Sequence, residues 1–142
     1  MDPDAAARLI ESWGGRGNKV MGEGLKEGGE EILAVSIPVT PIRTGALRAS
    51  GRVVGPEHRL GGPEVRVTFG GPSVNYAMYV HEILYRRPYT TKTGTMVRGA
   101  AVHHPVGGAK YLELPGYAMA KPIFAFLQEK CREIFKPKIG EA

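Results

Sequence analysis

Val35-Ser36-Ile37-Pro38-Val39-Thr40-Pro41-Ile42-Arg43-Thr44-Gly45-Ala46-Leu47-Arg48-Ala49-Ser50 marks where this chain changes character. Pro38 and Pro41 lack the amide proton that a continuing helix needs, and each disfavours helical geometry in the residue before it. Thr44 can cap a short turn that begins at Gly45, and Leu47 can anchor that turn under a following hairpin. Read this way, Thr44, Gly45 and Leu47 connect a helix to a strand. Arg43 and Arg48 are candidates for a further task, reaching the carboxylates of a neighbouring subunit or partner.

Upstream, residues 4 to 37 read as helical. Asp4 is a plausible N-cap for a short helix over residues 4 to 13, which Gly14-Gly15 is expected to stop. From Arg16, Met21, Leu25, Gly28, Ile32 and Val35 recur at spacings of four and three, the stripe of one helix face. Gly22, Gly24, Gly28 and Gly29 each cost that helix up to about 1 kcal/mol relative to Ala, so close packing against neighbours must hold it.

Downstream, residues 49 to 55 and 64 to 69 read as two strands around a turn-rich stretch with Pro56, Gly61, Gly62 and Pro63. In the second, Val65, Val67 and Phe69 alternate with Arg66 and Thr68, so one face is buried and the other wet. The pair reads as an antiparallel hairpin. Residues 74 to 85 fit a strand or a helix equally well. The Thr-rich stretch around Gly94 suits a hairpin tip, inside a segment longer than loops usually are without a function. A closing helix is expected over about 117 to 136, with Pro122 in its first turn and an apolar face of Ile123, Phe126, Leu127, Cys131, Ile134 and Phe135; Pro137 ends it. With no internal repeat or linker, the 142 residues read as a single domain with a sheet and loop part over 49 to 112.

The charge is distributed unevenly. Residues 1 to 37 hold seven acidic and four basic side chains, whereas the 30 residues between Glu82 and Glu113 hold five basic ones and no acid. A run purged of carboxylates is either a solvated loop or a surface that meets phosphate or an acidic partner. The single cysteine, Cys131, leaves no route to an intrachain disulfide or a cysteine zinc cluster, which fits a reducing compartment. No apolar run approaches membrane-spanning length, and the acidic N-terminus is unlike a secretory signal, so synthesis in a cytoplasm is expected.

Enzyme motifs fail on spacing. His81-Glu82 begins like a zinc-protease signature, but the residue four positions after the histidine is Tyr85. The adjacent His103 and His104 would point to opposite faces of a strand. Lys92-Thr93-Gly94 matches one of three motifs of the serine penicillin-recognising enzymes, yet no serine has a lysine three residues on. Gly22, Gly24 and Gly28 miss the dinucleotide fingerprint by one residue, and there is no Gly-Lys pair for a P-loop. No enzyme activity, metal or cofactor is expected.

Three ordered stretches do carry a resemblance. Residues 35 to 50 resemble the proline, Thr-Gly, Leu-Arg, Ser pattern of the tail-completion or neck proteins of long-tailed bacteriophages, a family also described as head-tail connector, minor capsid or minor tail components. Residues 76 to 82 (Tyr-Ala-Met-Tyr-Val-His-Glu) resemble that family's Tyr-Ala-x-Tyr-Val stretch. Residues 105 to 115 (Pro-Val-Gly-Gly-Ala-Lys-Tyr-Leu-Glu-Leu-Pro) resemble its Gly-x-Ala-Lys-Tyr/Phe-Leu-Glu-x-Pro stretch. The chain departs from the pattern at Ile83-Leu84, where a glycine is usual, and in a longer 85 to 104 segment.

The resemblance implies an α+β fold, with a long N-terminal helix and a C-terminal helix packed on a small antiparallel β-sheet and a long basic loop or hairpin. It implies a structural protein of the virion, made in the host cytoplasm, that forms a ring at the head-tail junction. A hexamer is expected, with a dodecamer as the alternative. Its partners would be further copies of itself, the adjacent head-completion or connector, tail-terminator and tail-tube proteins, and genomic DNA passing through the lumen, with no membrane. Arg86, Arg87, Lys92 and Arg98, with Arg43 and Arg48, are the candidate partner or DNA-lumen residues. A tail-terminator ring is one alternative. A small basic nucleic-acid-binding protein is another, suggested by the sequence pI of about 9.5.

Overall fold

The structure, a computed structural model, describes residues 3–83, 89–97, 104 and 106–135. Its elements are α1 (Pro3–Val39), α2 (Ala46–Ala49), β1 (Arg52–Arg59), β2 (Gly62–Thr68), α3 (Ala77–Glu82), β3 (Tyr89–Thr90), β4 (Met96–Val97) and α4 (Glu113–Phe135). A long N-terminal helix, a C-terminal helix and small antiparallel sheets make this an α+β fold. The chain divides into two compact units, one from Met1–Glu31, Val53–Val67 and Tyr117–Ala142, the other from Ile32–Arg52 and Thr68–Gly116.

In the first unit the glycines of α1 are contact points. A Cβ on Gly29 would meet Val53 and Val65 at 3.1 and 3.2 Å, and one on Gly22 would meet Pro56 at 3.1 Å. That face carries the β1–β2 hairpin. On a second face, a Cβ on Gly24 would lie 2.7 Å from Leu127 and one on Gly28 would lie 2.8 Å from Ile123. Here α4 comes closer than any side chain would allow. Lys130 of α4 adds an ion pair to Glu27 at 2.6 Å, while its ammonium lies 4.7 Å from the centre of the Phe126 ring.

The two-residue turn between β1 and β2 forces them to run antiparallel. Their exposed side holds a lattice of opposite charges: Arg66 meets Glu57 at 2.8 Å and Glu64 at 3.3 Å, and Arg59 reaches the same two carboxylates at 3.3 and 3.2 Å. A hydrogen bond from Arg59, then the nearby Arg66 guanidinium, holds the Glu57 carboxyl below its ordinary pKa. Exposed pairs of this kind add little stability individually and chiefly fix cross-strand register.

The second unit has its own core. Leu47, Val74, Ala77 and Tyr111 are buried, with Phe69, Val80 and Leu112 packed against them. The Tyr111 ring lies edge-on to Phe69 at 5.2 Å and to His81 at 5.0 Å, and its hydroxyl donates to the Ala77 carbonyl at 3.2 Å. Leu47 therefore anchors its turn in a cluster with Val74, Ala77 and Tyr111, against which Phe69 packs. The Ser50 hydroxyl ties the α2 turn to the next stretch, donating to Leu47 O at 2.6 Å and accepting from Gly70 N–H at 2.8 Å.

The last turn of α1 is closed by residues far along the chain. That turn contains no basic residue to balance its exposed carbonyls. Arg48 supplies the charge, donating to Thr40 O at 2.9 Å and Pro38 O at 2.6 Å. Gly108 N–H donates to Val39 O at 3.1 Å. Gly107 has φ 79°, and a Cβ there would collide with the backbone at Val39, Thr40 and Pro41. Buried Thr40 completes the cap, its hydroxyl donating to Ser36 O at 2.8 Å.

Several expected boundaries move. Gly14-Gly15 does not break the first helix, because glycine weakens a helix without forbidding it, and α1 runs through both. The first strand begins at Arg52 because Ala46–Ala49 forms a helical turn. Pro56, Gly62 and Pro63 belong to the strands, which leaves Leu60 and Gly61 as the turn. The 74 to 85 stretch, undecided by pattern, contains α3. The closing helix starts at Glu113, so Pro115 occupies the first turn and Pro122 lies in the interior. The tip around Gly94 is a hairpin, pairing Tyr89 with Val97 and Thr90 with Met96. Pro137 lies outside the described residues.

Candidate functional site

The loop that leaves α1 and the helix α3 enclose a groove of about 500 Å³. Pro41, Ile42 and Leu47 line one wall, and Tyr76, Tyr79 and Val80 the other. Pro41 bends the loop away from the helix axis, the left-handed turn at Gly45 (φ 82°) folds it back, and Leu47 pins it into the core. On α3, burial of Ala77 leaves Tyr76 and Tyr79 turned outward, 38% and 68% exposed. Ile42 is also 43% exposed. This concentration of open apolar and aromatic surface is unusual for a region that has no further role.

The groove is electrostatically one-sided. Among the described residues, Arg43 lines it and no carboxylate does. The unit that contains it, Ile32–Arg52 and Thr68–Gly116, carries eight basic and two acidic side chains. His104 also contributes, with an Nε2 that is shielded from solvent and has no hydrogen-bond partner among the described residues.

Those two acids, Glu82 and Glu113, are both engaged by Lys110, whose ammonium lies 2.7 Å from one carboxylate and 2.8 Å from the other. Hydrogen bonds to Glu113 and then Glu82 raise the Lys110 pKa above its ordinary value, while the bonds from Lys110 and then His81 lower that of Glu82. His81 completes the cluster. Its Nδ1–H donates to Glu82 at 2.8 Å, and its Nε2 lies 3.4 Å from the Glu113 backbone N–H, which fits the neutral ring with its proton on Nδ1. Ligand atoms of His81, Glu82 and Glu113 all lie within 4.8 Å of one another, a spacing that would suit a cation. Lys110 supplies the positive charge there. The cluster serves as a clamp between α3 and the start of α4.

The basic residues singled out from the sequence divide. Lys92 is exposed at the tip of the β3–β4 hairpin, a tip held by the Thr91 amide on Thr95 O and the Gly94 amide on Thr91 O, each at 2.9 Å. Arg43 lies in the groove, and Arg48 is committed to the α1 carbonyls. Arg86, Arg87 and Arg98, like His103, lie outside the described residues. Sequence reading missed Ile42 and Val80 as groove walls and Lys110 as a clamp. One trace of the clamp was legible: the acid-free segment begins and ends at the two carboxylates that turn back onto its own lysine.

Comparison with protein-family models, with curated proteins and with solved structures found no match. No described helix is long and apolar enough to cross a membrane.

Proposed function

We propose that this chain is a structural, non-catalytic virion protein of a long-tailed bacteriophage, a ring-forming neck or tail-completion subunit that joins the tail to the DNA-filled head. The observation that carries the reading is the convergence of the three family-like stretches in one unit. Gly108 N–H bonds Val39 O, Leu47 packs in one core with Ala77 and Tyr111, and Lys110 pairs with Glu82. Matches arising by chance at three places in a chain have no reason to fold against one another.

In this role the working parts are surfaces. The groove with Arg43, and the basic hairpin with Lys92, are the faces offered to neighbouring subunits, to adjoining connector, terminator and tube proteins, or to DNA in the lumen. Removing the gene from the phage should leave DNA-filled heads and finished tails that do not join, visible by electron microscopy, and a labelled subunit should lie at the junction. Normal numbers of joined, infectious particles without the protein would overturn the proposal. The concentration of basic charge in one unit also favours a second reading, direct nucleic-acid binding. That reading requires the isolated subunit to bind DNA with an affinity that falls steeply with salt.

A further inference from the structure

The groove holds a cation that no other described residue engages. Arg43 is exposed, lines the groove, and makes no hydrogen bond or ion pair with another described residue. The other described cations of its unit are placed elsewhere. Arg48 is bound to the α1 carbonyls, Arg52 donates to Gly70 O at 3.3 Å, and Lys110 lies between Glu82 and Glu113. Lys92 stands at the tip of the β3–β4 hairpin. The hydroxyls of Tyr76 and Tyr79 likewise make no hydrogen bond to another described residue, although both side chains line the groove opposite Ile42. The described lining therefore offers one guanidinium and two phenol donors beside apolar surface, with no acid to compete for the cation. Tyrosine, with an apolar body and a polar tip, is the residue type enriched where proteins meet.

We propose that the groove binds a short acidic segment of a partner protein, taking one carboxylate on Arg43 and seating an adjacent aliphatic or aromatic side chain between Ile42 and the two tyrosines. This deepens the reading above, in which the groove faces a neighbouring protein, and rests on that much of it. The guanidinium fork matches the two oxygens of a carboxylate, and apolar walls that exclude water strengthen such a pair. The volume of about 500 Å³ is on the scale of a site for a drug-sized group, so a short segment fills it. Nucleic acid fits less well. Its affinity comes from several cations meeting successive phosphates, whereas the described groove has one, and its aliphatic walls favour an apolar side chain over a phosphate.

The probe is a random-sequence peptide library selected on the full chain, with enriched peptides synthesised, labelled and titrated by fluorescence anisotropy. Enriched peptides should share an aspartate or glutamate close to a large aliphatic or aromatic residue. Exchanging that acid for its amide should weaken binding by roughly tenfold or more. Arg43→Glu should weaken it at least as much, and Tyr79→Ala by roughly tenfold; both positions are exposed, and circular dichroism verifies that each variant folds. A second selection on Arg43→Glu should return a lysine or arginine in place of the acid, a swap that a merely structural Arg43 would not produce. No enriched peptide, or peptides that bind the parent and both variants equally, overturns the proposal. So does a labelled oligothymidylate that binds the parent and is lost in Arg43→Glu while acidic peptides do not bind, because the groove then takes nucleic acid. Head-tail joining in phage lacking the gene tests the ring reading separately. Loss of joining without acidic-peptide binding keeps the ring and removes this inference; acidic-peptide binding with normal joining keeps the chemistry of the groove and removes the phage role.

Discussion

Replacing Gly28 with Ala offers a sharp test of how α1 and α4 meet. In an exposed helix the change would stabilise by about 1 kcal/mol, because Ala has the better helix propensity. At position 28 the new Cβ would lie 2.8 Å from Ile123 Cγ2 and 3.3 Å from both Cγ1 and Cδ1. Carbon atoms prefer about 3.5–4.0 Å, so the nearest pair must separate by roughly 0.7 Å or more. Ile123 is branched at Cβ and held to one rotamer in a helix, so the helices themselves must part. Overpacking of this kind costs about 1–3 kcal/mol, which outweighs the propensity gain and leaves a net loss of about 1 kcal/mol. Gly15→Ala, with open space around it, should instead gain up to about 1 kcal/mol. Urea denaturation of the two variants against the parent should therefore give shifts of opposite sign. Ile123→Leu, which removes the offending branch, should recover much of the loss in the Gly28→Ala background, a coupling that a double-mutant cycle measures. A Gly28→Ala variant as stabilised as Gly15→Ala would refute the close approach of α4.

Gly107→Ala should destabilise strongly, because the backbone of residues 39–41 occupies the space, while Gly108→Ala should be tolerated; thermal melts of the pair separate the two. Tyr111→Phe removes a buried donor to Ala77 O and should cost about 0.5–1.5 kcal/mol in chemical denaturation. Lys110→Met should loosen the tie between α3 and α4, with a pH dependence set by two opposite shifts. The lowered Glu82 contributes above the ordinary carboxylate range and loses its contribution as pH falls through its depressed value. The raised Lys110 contributes below its ordinary value and loses its contribution as pH rises through the elevated one. The stability gap between parent and variant should thus be widest around neutrality and close toward both extremes, and a gap independent of pH would show that the clamp is not electrostatic.

Both terminal helices and the β1–β2 hairpin were legible because periodicity reports burial. Their limits were less so. Gly14 and Gly15 read as a stop because glycine is a poor helix former, but the penalty of a residue or two is small against a helix anchored from Gly22 onward. Pro122 read as a first-turn proline because the sequence offers it ahead of an apolar face, while Pro115 fills that place and Pro122 is accommodated in the interior. In the site, Arg48 looked available to a partner because its acceptors are carbonyls, which leave no mark in the sequence. His81 and Glu82 looked like half a zinc motif, and only three-dimensional proximity reveals that Lys110 and Glu113 complete the cluster. The groove was invisible for a related reason: its two walls are separated by the β1–β2 hairpin in the chain.

The closure of α1 at Pro38, Val39 and Thr40 bears on the order in which the protein folds. Those three carbonyls receive donors from Arg48 and Gly108, so the helix end stays unfinished until distant segments have arrived. During synthesis the final turn would remain frayed until residue 108 has left the ribosome. The Gly108 amide, once bonded, should exchange its proton only when that late-formed seal opens.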